Sequence, residues 1–574
     1  MILTDEQANA VDLFKSSRSL KISAFAGTGK TSTLTAIANS SQKSGLYLAF
    51  NKNIATEAST KFSRSVDCRT MHSLAFRAVP SMYRGNTPKL TQSLQGNQVA
   101  RLLDMKETAF GNITLRPSSL AFLVVKTVQR FCHSGDEELV VEHVPVTGKL
   151  QLLDPMFRGE FKDYVSKLAE SLWDKMLDPA SEAPLGHDGY LKLWSLSKPR
   201  LNYDFLLLDE AQDTNEAVLS VLRGQDSHVT LVGDRHQQIY EWRGAVNAMA
   251  SVKTDEEAFL TRSFRFGDSV AAASTSILKL LGETRAVVGN PNRDTTIAAA
   301  GRTGTILCRT NVGVVAEVVT ALSENRRPHV VGGVADLIRM LEDVGKLKGS
   351  IPAESPEFLG YKEWDEVVDF AGSEEGESLR SFVKIVRTYG EATLIQNLRS
   401  VAREEQGSDL IVSTGHKAKG REWDAVTLSS DFEPRLTKDV PPKEVLNQEE
   451  ARLLYVAATR ARHLLVVPPR LAVKWNAKQE RTASIIQVSR PTVIAPAQPR
   501  KSKPVPQLPS FAKVVSPPIA GLRGAKGMSN EGASTSSGES TIGSGKLPFS
   551  TVLPEPAATP GLLSSIFSFL RGKN

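Results

Sequence analysis

Ala24-Phe25-Ala26-Gly27-Thr28-Gly29-Lys30-Thr31 carries the strongest structural signal in this 574-residue chain. It follows a strand at 20–23 and precedes a helical run at 32–39, the strand, glycine-rich loop and helix order of a P-loop. Glycines let successive backbone N–H groups converge on phosphate oxygens at a helix N-terminus. There Lys30 reaches the outer phosphates and the Thr31 hydroxyl ligates Mg²⁺. Ala24 stands where the general pattern has Gly, and a chance glycine-rich turn is the bland alternative. A second stretch weighs against it. Phe205-Leu206-Leu207-Leu208-Asp209-Glu210-Ala211-Gln212-Asp213 is a buried-strand run ending in adjacent carboxylates. Asp209 at the strand end suits the Mg²⁺ shell, and Glu210 suits orienting or deprotonating an attacking water. A strand followed by an acidic helix cap is the alternative there; the lysine loop upstream outweighs it.

Working outward, short apolar runs at 46–50, 205–208, 229–232, 305–308, 426–429 and 464–467 alternate with helical patterns, which predicts parallel α/β layers. Residues 91–199 and 312–404 show helical patterns without such strands and are expected to be insertions into two α/β cores. The expected organisation is a first core from 1–90 and 200–262, a helical insertion at 91–199, and a second core from 263–311 and 405–489. A small insertion at 312–404 and a tail at 490–574 complete it. No internal repeat of fixed short period occurs.

Composition agrees with several soluble domains, at 41% hydrophobic and 23% charged. Three well-separated cysteines, Cys68, Cys132 and Cys308, exclude a disulfide framework and suggest a reducing compartment. No apolar run approaches the ~18 residues of a membrane span, and residues 1–7 are too polar to open a signal peptide. An intracellular protein is therefore expected. The formal charge of +7 has a definite location: the segment from Arg490 onward carries ten basic and three acidic residues, leaving 1–489 balanced. That segment, rich in Pro, Ser, Gly and Thr, is expected to be disordered. Its scattered basic residues suit either a solvated linker or salt-sensitive nucleic-acid contact. Near its end Leu562, Leu563, Ile566, Phe567 and Leu570 fall at helical spacing. Residues 562–570 are thus a candidate docking peptide for a protein partner, with weak membrane-surface contact or an inert terminus as the alternatives.

In order along the chain these motifs resemble superfamily 1 helicases of the UvrD/Rep type. Leu3-Thr4-Asp5-Glu6-Gln7 is similar to the family's Q motif. Leu48-Ala49-Phe50-Asn51-Lys52-Asn53 and Thr70-Met71-His72-Ser73-Leu74-Ala75 resemble its two strand-contacting motifs, and Asp209-Glu210-Ala211-Gln212-Asp213 its DEXQD form. Gly233-Asp234-Arg235-His236-Gln237-Gln238-Ile239-Tyr240-Glu241-Trp242-Arg243-Gly244-Ala245 is the most specific stretch. Ser263-Phe264-Arg265, His416-Lys417-Ala418-Lys419-Gly420-Arg421-Glu422-Trp423-Asp424 and Leu454-Tyr455-Val456-Ala457-Ala458-Thr459-Arg460-Ala461-Arg462 resemble motifs IV, V and VI. The last forms are similar to the branch containing F-box DNA helicases and some phage enzymes.

The resemblance implies two RecA-like parallel-sheet P-loop domains with helical insertions, using ATP and Mg²⁺. It implies that Lys30, Asp209, Glu210, Gln237, Arg265 and Arg460 serve hydrolysis. Gln7, Ala26, Gly27, Thr28, Gly29, Lys30, Thr31, Ser32, Phe264 and Glu422 would hold the nucleotide, with Thr31 and Asp209 on the metal. Phe50, Asn51, His72, Tyr240, Trp242, Arg243 and His416 would contact nucleic acid. For Phe50, Phe264 and Trp242, packing in a core is the bland alternative. The implied activity is ATP-dependent translocation on single-stranded DNA, with 3′ to 5′ polarity, and unwinding of duplex junctions by a monomer. A protein remodeller with little unwinding and an RNA helicase are the rival readings.

Overall fold

The computed structural model describes residues 2–476, apart from 242–243, 352, 354, 356–357, 359–360, 373–376 and 437–443. The tail expectations, disorder from 490 and the 562–570 docking segment, lie outside the described residues.

In chain order the strands are β1 (Ser19–Ala24), β2 (Gly45–Leu48), β3 (Val66–Arg69), β4 (Thr108–Phe110), β5 (Ile113–Leu115), β6 (Phe205–Leu208), β7 (His228–Gly233) and β8 (Glu256–Leu260). Then follow β9 (Thr296–Ala298), β10 (Thr305–Cys308), β11 (Pro328–Val330), β12 (Leu410–Thr414), β13 (Trp423–Leu428), β14 (Arg435–Leu436), β15 (Glu444–Val445) and β16 (Ala461–Val466). Two six-stranded sheets result, ordered β3-β2-β6-β7-β1-β8 and β11-β12-β10-β13-β16-β9. Every pairing within them is parallel. The runs with four buried residues in a row, β2, β6 and β10, are the central strands that need an apolar environment on both faces.

Sheet order determines where chemistry can gather. β1 lies between β7 and β8, so the carboxyl ends of β1, β6, β7 and β8 open on one edge, and ligands of open parallel sheets bind at such edges. That edge collects the glycine-rich loop, Asp209, Asp234 and the segment 261–265. From the second core the amino ends of β13 and β16 face it, carrying Glu422 and Arg460.

Two expectations need correction. The 91–199 insertion is largely helical, with helices Pro117–His133, Pro155–Leu177 and Gly186–Leu196, but it also holds the antiparallel hairpin β4–β5. Its strands are three residues each and too short to leave an apolar run. The 312–404 stretch is not wholly an insertion. Helix Asn311–Ser323 and edge strand β11 belong to the second core, β11 pairing with β12. The helices beyond, such as Ala335–Lys348 and Glu391–Arg399, share one apolar cluster with Ile306, Cys308 and Val412. At ~1.5–3 kcal/mol for each fully buried large apolar side chain, that continuous cluster ties the stretch to the sheet.

Candidate functional site

The loop after β1 makes a cradle that only glycine backbone allows. Gly27 and Gly29 have φ of 75° and 80°, a region L-residues rarely adopt. A Cβ on Gly27 would lie 2.6 Å from Ser263 Oγ and 2.7 Å from Arg265 Cβ; one on Gly29 would lie 3.0 Å from Gln7 Nε2 and 3.3 Å from Phe264 Cε2. Four expected site residues, Gln7, Phe264, Gly29 and Arg265, therefore meet at this loop. Gln7 is fixed there because its carbonyl oxygen closes a capping box, accepting from Thr4 N–H at 3.1 Å. Phe264 donates its N–H to Gly27 O at 2.8 Å and keeps an exposed ring, which answers the core-packing alternative. Thr28 is buried and its hydroxyl donates to Phe25 O within the loop, so it holds the loop's shape. Helix Lys30–Asn39 begins at Gly29 and carries Lys30, Thr31 and Ser32 on its first turn.

Across the cradle stand the carboxylates. Lys30 Nζ lies 3.2 Å from Glu210 Oε1. Burial alone would depress the Lys30 ammonium, but Glu210, Asp234 and Asp209 outweigh it and hold it above its ordinary value. Burial, and Glu210 beside it, push the Asp209 carboxyl up, while Tyr47 OH donates to its Oδ2 at 2.7 Å. Burial would raise Glu210 also, but Lys30 and Lys419 win and hold it down. Glu210 is therefore the more acidic member of the pair. Its backbone is left-handed, φ 50° and ψ 44°, an uncommon conformation for a residue with a Cβ and one that clusters at functional sites. Gln212 Nε2 donates to Glu210 Oε2 at 2.6 Å and fixes the carboxylate's direction.

The second core supplies cations. Arg265 Nε donates to Glu422 Oε2 at 2.6 Å, and its Nη1 to Thr459 O. Burial favours the neutral Glu422, yet Arg265, Arg462 and Arg460 hold it below its usual range. Arg460 is buried, donates through Nε to Val456 O, and reaches Gln237 Oε1 at 3.5 Å through Nη2. Burial and neighbouring Arg265 lower it to about 9, which leaves it protonated at neutral pH. Gln237 Nε2 in turn donates to Asp234 Oδ2 at 2.7 Å.

A cleft of about 650 Å³ adjoins the carboxylates, its walls including Phe50, His72, Asp209 and Asp213. Phe50 is 53% exposed, so it does not pack in a core. Asn51 caps helix Lys52–Ser59, accepting from Ile54 N–H, so its side chain is used in placing Phe50. His72 shares Asp188 with His133. Tyr240 donates to His416 O at 3.0 Å and so joins the two cores. Lys419 Nζ donates to Asp213 Oδ2 and to Gln237 O. Trp242 and Arg243 lie outside the described residues.

The donor set fits a nucleoside triphosphate: glycine N–H groups, a lysine, two arginines and an aromatic face bound a space that a Cβ would fill. Among the described residues no group of three or more His, Cys, Asp or Glu is arranged to hold a metal alone. Asp209 at the end of β6 and Thr31 on the first turn of helix Lys30–Asn39 are oxygen donors, the kind a magnesium ion shared with phosphate takes.

The family model described as UvrD/REP helicase N-terminal domain matches residues 3–256, and the UvrD-like helicase C-terminal domain matches 356–468. The chain belongs to the UvrD/Rep-like helicase family. It is 34% identical over 493 residues to "F-box DNA helicase 1" of Gallus gallus, covering 78% of this chain and 47% of that protein. It is 30% identical over 514 residues to "F-box DNA helicase protein 1" of Schizosaccharomyces pombe, covering 81% and 57%. A shorter match, 35% over 92 residues and 15% of this chain, is to a "Probable DNA helicase II homolog" of Mycoplasma capricolum. The chain spans about half the length of the two F-box relatives.

Within this UvrD-like frame the structure adds residues that no motif role singled out: Tyr47 on Asp209, Gln212 on Glu210, Lys419 on Asp213, and Tyr455 between the cores. All but Tyr47 lie inside stretches quoted for the resemblance, yet a pattern of residue types does not say what each side chain touches. One face of helix Pro117–His133, with Lys126, Gln129, Arg130 and His133, also lines the cleft. Their i, i+3, i+4, i+7 spacing was the available signal.

Proposed function

We propose that the chain is an ATP-driven motor that moves 3′ to 5′ on single-stranded DNA and unwinds duplex junctions. The observation that carries this is the meeting of Lys30 and Glu210 from the first core with Arg265 and Arg460 at its boundary with the second. Phosphoryl transfer spreads charge over oxygens that need cations and one oriented water. Lys30 holds the outer phosphates, Glu210 orients the water and accepts its proton, and the two arginines neutralise charge from the opposite side. Thr31 and Asp209 would hold Mg²⁺, which when bound would add charge neutralisation. Gln7 and Phe264 grip the base. Because the arginines belong to the second side of the cleft, nucleotide draws the cores together and hydrolysis lets them part. Tyr240 and His416, bonded across that boundary, carry the movement to the strand, which Phe50 and His72 grip by stacking and contact. Stacking is worth ~1–3 kcal/mol per base.

The chain acts as a monomer inside the cell, in the cytoplasm and nucleoid or in the nucleus, in DNA replication, repair or recombination. The DNA named in the relatives' descriptions favours DNA over RNA, and comparing ATPase stimulation by poly-dT and poly-U checks it. Strand displacement on 3′-tailed and 5′-tailed duplexes tests the whole reading. ATP-dependent displacement of the 3′-tailed duplex alone is expected. Displacement only from 5′ tails overturns the polarity, and none from either, with hydrolysis intact, favours a remodeller.

A further inference from the structure

Tyr455 lies on helix Gln448–Ala458 of the second core and is fully buried. Its hydroxyl accepts from Ala26 N–H at 3.0 Å and donates to Asp234 Oδ2 at 2.9 Å. One oxygen atom of the second core thus holds both the phosphate loop and the start of the segment that leads to the strand. Asp234 passes the constraint on: its Oδ1 accepts from His236 N–H at 3.0 Å and its Oδ2 from Gln237 Nε2 at 2.7 Å. Its own N–H donates to Gln212 Oε1, and Gln212 orients Glu210. Phe25, Ala26 and Ile239 of the first core pack in the same apolar cluster as Tyr455, and Ala26, Asp234 and Tyr455 are all buried.

We infer that Tyr455 is a positioning residue that couples the two cores, its hydroxyl setting the phosphate loop at Ala26 and the strand-linked segment at Asp234 together. The inference rests on the proposed motor function for its consequence, while its geometry can be tested without it. A shift of helix Gln448–Ala458 cannot keep both hydrogen bonds unless loop and segment follow. Nothing else about the ring is special: it fills space as Phe would, and only the hydroxyl communicates. Leaving a buried N–H and a buried carboxylate each one partner short is costly.

Tyr455→Phe in the full chain is the test, with three readouts. Strand-stimulated ATPase divided by strand-free ATPase is expected to fall about tenfold, the scale of one lost buried hydrogen bond. A variant that is merely less well folded loses both rates in proportion and keeps the ratio. That result, or an unchanged ratio with unchanged rates, overturns the coupling role. Residue-resolved amide exchange of the nucleotide-free chain is expected to show faster exchange at Ala26 and Gln237 with β1 unaffected. Equal exchange in the two proteins overturns the geometry, and the melting temperature guards against global unfolding. If the parent chain shows no strand stimulation, the motor reading fails, and the exchange comparison still decides whether Tyr455 holds the loop.

Discussion

Lys30 shows how much one side chain must do here, since it faces Glu210, Asp209 and Asp234 while half-buried at the start of a helix. Lys30→Ala is expected to cut strand-stimulated ATPase by roughly a hundredfold or more while strand binding stays within about twofold, the pattern of a lost transition-state contact. A filter-binding titration beside a coupled ATPase assay checks both halves. Glu283 offers a second residue-scale case. Its carboxylate accepts from the Arg285 N–H and pairs with His236 Nε2 at 3.1 Å and Arg235 Nη2 at 2.7 Å, joining the second core to the segment after β7. Burial pushes the group up, but these donors outweigh it and hold it near about 2, below its ordinary 4.5. A carboxylate depressed in the folded state stabilises above its unfolded value, and that contribution is lost as pH falls through the folded one. The stability difference between the parent and Glu283→Gln should therefore be complete at pH 6 and vanish between about 4.5 and about 2. Urea unfolding at a series of pH values measures it; a difference that persists at pH 2 contradicts the assignment.

Among elements, helix Pro155–Leu177 ends with carbonyls that need donors, and the chain answers with an ammonium. Lys89 is buried, and its Nζ donates to the carbonyls of Lys175, Asp178, Ser181 and Ala183, two of them at 2.6 Å. A cation at a helix C-terminus also suits the helix dipole. Lys89→Met keeps the stem and removes every donor, so a loss of about 3 kcal/mol is expected, since bonds to charged groups are the stronger class. Chemical denaturation checks it, and Lys89→Arg should recover part of the loss. Element identity was legible where burial is complete: β6 and β10 fall where the apolar runs at 205–208 and 305–308 place them. It was not legible at β3 (Val66–Arg69) and β8 (Glu256–Leu260), the strands at the two opposite edges of the first sheet, where Asp67 and Arg69 are half-buried and Glu256 and Glu257 exposed, so neither leaves an apolar run. β11 was hidden for the same reason, being an edge strand of three residues.

At the scale of the whole molecule the charge excess of +7 belongs to the segment from Arg490 on, and residues 1–489 are balanced. A chain ending at residue 489 should keep strand-stimulated ATPase within about twofold and lose only the low-salt gain in affinity, since each phosphate contact adds about −0.7 to the salt slope on single strands. Binding measured between 50 and 200 mM salt, with and without the tail, decides it; loss of hydrolysis on truncation contradicts a charge-balanced motor. What the sequence determined alone was local: a glycine loop at 24–31, a strand ending in Asp209-Glu210, and the order of motifs that placed the chain in its family. These are legible because φ above zero, strand burial and phosphate chemistry each demand particular residue types at short spacing. Tertiary structure alone decided that Arg265 pairs with Glu422, that Gln7 and Phe264 meet at Gly29, and that Tyr455 bridges Ala26 and Asp234. Such contacts join residues as many as 429 positions apart, and only the packing of two sheets brings them within hydrogen-bond reach.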